Sequence, residues 1–133
     1  MTHLPPRDPR RQGYARVKAN TAGPAERVVM MYDGIVKQLN LALEAFALPA
    51  PESYGPIHEH LAKAGQLVTE LRLALDQEQG GELARTLARL YDYWTDEISQ
   101  ANMEKRPRRL QDVIAMVNSL REAWQQAQEG VVA

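Results

Sequence analysis

A chain of 133 residues with 44% apolar residues and a formal charge of -1 fits a single domain with enough material for one core. It has no cysteine, which excludes a disulfide framework and a thiolate metal site, and its charge balance gives no overall basic footprint for nucleic acid. The longest unbroken apolar run, residues 28–32, is far short of the roughly 20 residues a membrane span needs. The proline- and arginine-bearing N-terminus has no apolar run of a secretory leader, so a cytoplasmic location is expected.

Residues 1–23 show no helical periodicity and read as a flexible N-terminal arm. Within residues 1–20 Arg7, Arg10, Arg11, Arg16 and Lys18 stand against Asp8 alone, and Leu4, Tyr14 and Val17 are the arm's apolar anchors. Order is expected from Gly23-Pro24-Ala25-Glu26, where proline suits the first helical position and glutamate the third. The remainder, residues 24–129, reads as an all-α, antiparallel up-down four-helix bundle. Helix 1 carries Val28, Tyr32, Ile35, Leu39, Ala42 and Phe46 at alternating steps of four and three, and ends at Pro49, Pro51 and Gly55. Helix 2 is expected to open at Pro56, to carry Ile57, Leu61, Ala64, Val68, Leu71 and Leu75, and to be broken by Gly80-Gly81. The third stripe is Leu83, Leu87, Leu90, Trp94, Ile98 and Ala101; the fourth, after Pro107, is Leu110, Val113, Val117, Leu120, Trp124 and Ala127. Short connections favour antiparallel neighbours.

The sequence offers little for chemistry. Carboxylate metal centres in bundles use glutamate followed three residues later by histidine, and none of His3, His58 or His60 has that glutamate. His58 and His60 sit two apart, on different sides of a helix, and read as solvated first-turn histidines. Ser53, Ser99 and Ser119 occupy no nucleophile-elbow context, and Gly80-Gly81 lacks the lysine and spacing of a phosphate loop. Lys105, Arg106, Arg108 and Arg109 read as a solvated corner between helices, without aromatic residues for base stacking. No catalytic residue, metal or cofactor is therefore expected.

Apolar residues remain beyond the core stripes. Helix 1 has a second row at Val29, Val36 and Leu43; helix 2 adds Leu67 and Ala74, helix 3 adds Tyr91, and helix 4 adds Met116 and Ala123. These rows either widen the core, which periodicity favours, or form a groove for a partner helix. Gly34 costs helix 1 about 1 kcal/mol against alanine, so a close approach by a neighbouring helix or a bound partner is expected there.

Five blocks resemble the FliS family of flagellin-specific export chaperones. They are Tyr14 and Val17 leading into Thr21 to Glu26 and Met31-Tyr32-Asp33-Gly34; Lys63-Ala64 with Glu70-Leu71 and Leu75-Asp76; Gly80-Gly81-Glu82-Leu83-Ala84; Leu90-Tyr91-Asp92-Tyr93; and Ala101-Asn102 followed by Leu120-Arg121 and Trp124. The resemblance implies a binding protein and not an enzyme. Its implied client is the disordered C-terminal segment of flagellin, kept from polymerising in the cytosol and delivered to the flagellar type III export gate. It implies a monomer binding its client one to one, without nucleic acid and without membrane insertion. The flagellin-binding residues expected on this basis are Tyr14, Val17, Val29, Val36, Leu43, Leu67, Tyr91 and Tyr93, with Tyr14 and Val17 covering part of the groove when the client is absent. The alternative is a helical adaptor or regulator of another flagellar assembly factor.

Overall fold

Proline at the first helical position needs no amide partner, and Pro24 opens α1 (Pro24–Phe46) behind an extended Gly23 whose carbonyl accepts from Arg27 N at 2.9 Å. The structure, a computed structural model, describes residues 23–132. The arm of residues 1–22, with Tyr14 and Val17, lies outside the described residues. After the turn that holds Pro49 and Pro51 come α2 (Tyr54–Leu73), α3 (Gln77–Glu104) and α4 (Arg108–Val132). Pro56 falls within the first turn of α2, two residues after its start, where amides have no intrahelical acceptor. No strand occurs among the described residues, and the four-helix reading holds.

Two boundaries differ from the sequence expectation. The α2 helix stops at Leu73, well before Gly80-Gly81, and the turn to α3 spans residues 74–76. The reason is Asp76: its extended backbone and a carboxylate accepting from the amides of Glu78 and Gln79, both at 3.2 Å, make it an N-cap. A helical turn is thereby started before the glycine pair. Gly81 then interrupts α3 at φ 57, ψ -134, a conformation a side chain strongly disfavours. The expected break at the glycine pair is therefore present, as a kink at Gly81 between a short helical segment opened by Asp76 and the long remainder of α3. At the far end Lys105 adopts left-handed φ 54, ψ 48; Arg106 N donates to Ala101 O, and Lys105 Nζ turns back to Asn102 O at 2.8 Å. Basic side chains suit this place, because the last helical carbonyls lack amide partners.

The helices neighbour one another in a ring: α1 with α2 and α4, α3 with α2 and α4, the α3–α4 seam being the sparsest. The core stripes meet inside it. Tyr32, Ile35, Leu39 and Ala42 of α1 pack against Ile57, Leu61, Ala64 and Val68 of α2, Leu87, Tyr91, Trp94 and Ile98 of α3, and Leu110, Val113 and Val117 of α4. On α3 the expected stripe is rotated: Tyr91 is buried, Leu90 only partly, and Leu83 is 62% exposed where a core position was expected. The buried row on α3 runs through Ala84, Leu87, Tyr91, Trp94 and Ile98, and Leu83, one residue before Ala84, points about 100° away from it. On α4 Leu120 and Trp124 are half-buried and Ala127 is exposed.

Gly34 has a reason inside the chain. A Cβ built there would lie 3.0 Å from Leu67 Cδ1 of α2, so glycine lets α1 and α2 approach and lets Leu67 cross between them. Interhelical ion pairs join Arg121 to Asp33 at 2.6 Å, Arg72 to Asp92 at 3.1 Å and Arg109 to Glu97 at 3.0 Å. His58 and His60 do face different ways, but each has a partner: Asn102 Nδ2 lies 2.9 Å from His58 Nδ1, and Gln38 Oε1 lies 2.9 Å from His60 Nδ1.

Candidate functional site

The bundle is closed at the α3–α4 corner and open at the α2–α3 turn. At the corner, Arg109 of α4 reaches both Glu97 and Glu104 of α3, and these carboxylates hold its guanidinium more firmly protonated than usual. No comparable cross-link joins α3 to α4 at the other end among the described residues. There a cavity of about 250 Å³ lies between Val28 of α1, Leu71 of α2, Ala74 and Leu75 of the turn, Leu87 and Tyr91 of α3, and Trp124 of α4.

Small residues explain why this space is unfilled. Ala74 and Ala84 in its wall end at Cβ, and Gly80 has no side chain; a Cβ on Gly80 would come within 2.5 Å of Ala84 Cβ. Leu83 also borders the cavity but is largely exposed. An exposed leucine at the edge of an apolar hollow is an arrangement that can seat a helical partner. A second, larger groove of about 560 Å³ runs between α2 and α3, with Thr69, Glu70, Thr95, Ser99 and Asn102 among its lining residues. Its polar walls offer a partner less apolar surface.

Behind the cavity stands an aromatic cluster. Tyr32 and Tyr91 are buried with their hydroxyls 2.7 Å apart, and Trp94 packs against both rings, at centroid distances of 6.0 Å and 5.3 Å. Burial raises both phenols above their usual range; the hydrogen bond between them partly counters this at Tyr32 and raises Tyr91 further. The Trp94 indole N–H is buried without a hydrogen-bond partner. The cluster is thus rich in donors and poor in acceptors.

The residues expected at a binding surface fall in different places. Val29 and Tyr91 are buried; Val36, Leu43 and Leu67 are half-buried against the core; Tyr93 is 43% exposed. Only Tyr91 among them lines the cavity. Most of its remaining wall comes from residues read in the sequence as core: Val28, Leu71, Leu75, Leu83, Leu87 and Trp124. The signal that could have marked them is the run of small residues at that end of the stripes, Ala74, Gly80, Gly81 and Ala84, too small to fill the space the leucines surround. Among the described residues no group of three or more His, Asp or Glu side chains could hold a metal ion, and no helix is long and apolar enough to cross a membrane.

The sequence profile of the family described as flagellar protein FliS matches residues 7–131. The chain is 31% identical to the flagellar secretion chaperone FliS of Vibrio cholerae over 122 residues, covering 86% of this chain and 85% of that one. It is 32% identical to the protein of the same description in Bacillus subtilis over 114 residues, 86% and 82% of the two chains. With that of Salmonella typhimurium it shares 32% over 123 residues, 86% and 87%.

Proposed function

Because this chain belongs to the flagellar protein FliS family, we propose that it is a flagellar secretion chaperone whose client is the C-terminal segment of flagellin. It covers that segment in the cytosol, prevents premature polymerisation and delivers the subunit to the flagellar export gate. The observation that carries this reading is the family match along nearly the whole chain. The unfilled apolar cavity beside exposed Leu83 supports it, because an amphipathic client helix supplies the aliphatic side chains that such a hollow lacks.

The energetics suit a carrier. A disordered client orders as it binds, and that ordering costs about 2–5 kcal/mol of the gross interaction energy, which keeps release within reach. Of the expected contact residues, Tyr91 and Tyr93 lie on the helix that walls the cavity, whereas Val29, Val36, Leu43 and Leu67 follow the α1–α2 side. A client touching both sets wraps around the bundle.

Calorimetric titration with full-length flagellin and with flagellin lacking its C-terminal segment tests the reading. The full-length protein is expected to bind and the truncated one not to; equal binding of the two would overturn the assignment of the client segment. Leu83→Asp is expected to weaken binding by at least about tenfold, since a charge would enter an apolar contact.

A further inference from the structure

The α3–α4 corner holds four cations, Lys105, Arg106, Arg108 and Arg109, within residues 105–109. They stand on a bundle that is acidic as a whole, since the chain carries -1 although its first twenty residues are strongly basic. Two of the four are used inside the fold. Lys105 Nζ turns back onto the Asn102 carbonyl and side-chain oxygens, and Arg109 is held by Glu97 and Glu104. Arg106 and Arg108 are exposed, and their side chains enter no hydrogen bond or ion pair among the described residues. Asp112, one turn on from Arg108, is exposed and forms no ion pair with it there. Arg108 also stands in the first turn of α4, which has no acidic residue, and a cation in that place opposes the helix dipole. It does not stabilise the helix that carries it.

Apolar surface adjoins these two arginines. Met103, in the last turn of α3, is 75% exposed, and Arg106 N, donating to Ala101 O at 3.2 Å, keeps the chain folded over that turn. Asn102 Nδ2 lies 2.9 Å from His58 Nδ1, which sets the first turn of α2 against the same turn of α3. Tyr54, one helical turn before His58 and so on the same side of α2, is 46% exposed. All of this lies at the opposite end of the bundle from the cavity at the α2–α3 turn.

We propose that this end of the bundle is a second docking surface, separate from the client cavity, for an acidic amphipathic segment of a partner protein. Carboxylates of the segment meet Arg106 and Arg108, and its apolar side chains cover Met103 and Tyr54. Charge complementarity selects this occupant: guanidinium groups bind carboxylates through paired hydrogen bonds, and the rest of the acidic bundle repels such a segment. A thioether adapts its shape to varied apolar partners. An extended polyanion, such as a nucleic acid or an anionic bilayer, would also lie across Glu104 and Asp112, which repel it, whereas a segment with one or two carboxylates meets the arginines alone. The proposal goes beyond the chaperone reading, because a chain holding a client at one end keeps the other free for a second protein.

The test is fluorescence anisotropy of the full chain with a labelled helical peptide that carries glutamates on one face and leucines on the other. The parent chain is expected to bind it, less tightly as salt rises, and to bind the peptide with glutamine in place of glutamate at least about tenfold more weakly. The double variant Arg106→Ala, Arg108→Ala is expected to lose at least about tenfold in affinity for the acidic peptide, with an unchanged thermal melt because both side chains are exposed and unpaired. Arg85→Ala with Arg89→Ala, which removes as much charge from exposed positions elsewhere on α3, is expected to bind within about twofold of the parent. Met103→Glu is a second variant, expected to lose affinity comparably through repulsion and lost apolar contact. Absence of peptide binding by the parent chain, or equal binding by the parent, the arginine double variant and Met103→Glu, overturns the proposal. So does tighter binding of phosphatidylglycerol vesicles or of a single-stranded oligonucleotide through the same arginines, which would assign the surface to a membrane or a nucleic acid. The flagellin titration is a separate measurement, so the failure of either reading leaves the other standing.

Discussion

The middle of the bundle and its α2–α3 end are built from the same kinds of residue, yet only one of them is closed. In the middle, Leu39, Leu61, Trp94 and Val113 come from all four helices and are at most 1% exposed. At the α2–α3 end, leucines of the same helical rows surround a cavity of about 250 Å³, and Leu83 is turned out to solvent. The difference lies in what stands between the leucines. Large side chains interlock in the middle, whereas Ala74, Gly80 and Ala84 leave the end short of volume. Apolar character alone therefore does not make a core; complementary volume does.

The sharpest way to break the contrast is truncation within the sealed layers. Leu39→Ala is expected to cost about 2–5 kcal/mol in chemical denaturation, whereas Leu83→Ala should stay within about 0.5 kcal/mol. Similar losses at the two sites would mean that the end is packed as the middle is. Overfilling comes next: Gly34→Ile would drive a branched side chain into Leu67, and a loss of about 1–3 kcal/mol is expected from the forced separation of α1 and α2.

An effect that appears only at high pH separates the aromatic cluster from the surface. Both buried phenols are raised above the usual range, so above about pH 10 the unfolded chain loses protons that the folded chain keeps, and stability falls as pH rises. Below that range the contribution is fully present. Melts taken from about pH 9 to about pH 11.5 are expected to show a loss approaching about 1.4 kcal/mol per pH unit for each phenol still held protonated. A Tyr32→Phe, Tyr91→Phe double variant should flatten the profile. The smallest expected effect is at the rim, where Arg72→Ala breaks the exposed pair with Asp92 and is expected to change stability by less than about 1 kcal/mol.

The four helices and their inward faces were legible in the sequence because a period of 3.6 leaves a mark that survives without knowledge of neighbours. Tyr32, Ile35 and Leu39, or Leu110, Val113 and Val117, could face only inward. The composition also excluded a thiolate site, and the block of residues around Met31-Tyr32-Asp33-Gly34 pointed to the family that the profile match then showed. Local chemistry was read less well. Asp76 caps α3 four residues before the glycine pair, and the glycines, being stronger punctuation, masked it.

What only the tertiary structure decided is which apolar residues are left without a neighbour. Val29 and Leu83 look equally apolar along the chain, yet one is buried and the other exposed, because burial depends on the helix across from a residue and not on its own. The reason for Gly34 emerged only when Leu67 came within 3.0 Å of where its Cβ would be. The hydroxyls of Tyr32 and Tyr91 are 59 positions apart in sequence and 2.7 Å apart in space, and no periodicity can express that pairing. Periodicity reports the direction a side chain takes from its own axis. Volume, contact and hydrogen-bond partnership are properties of two or more helices together, and they exist only once the bundle has closed.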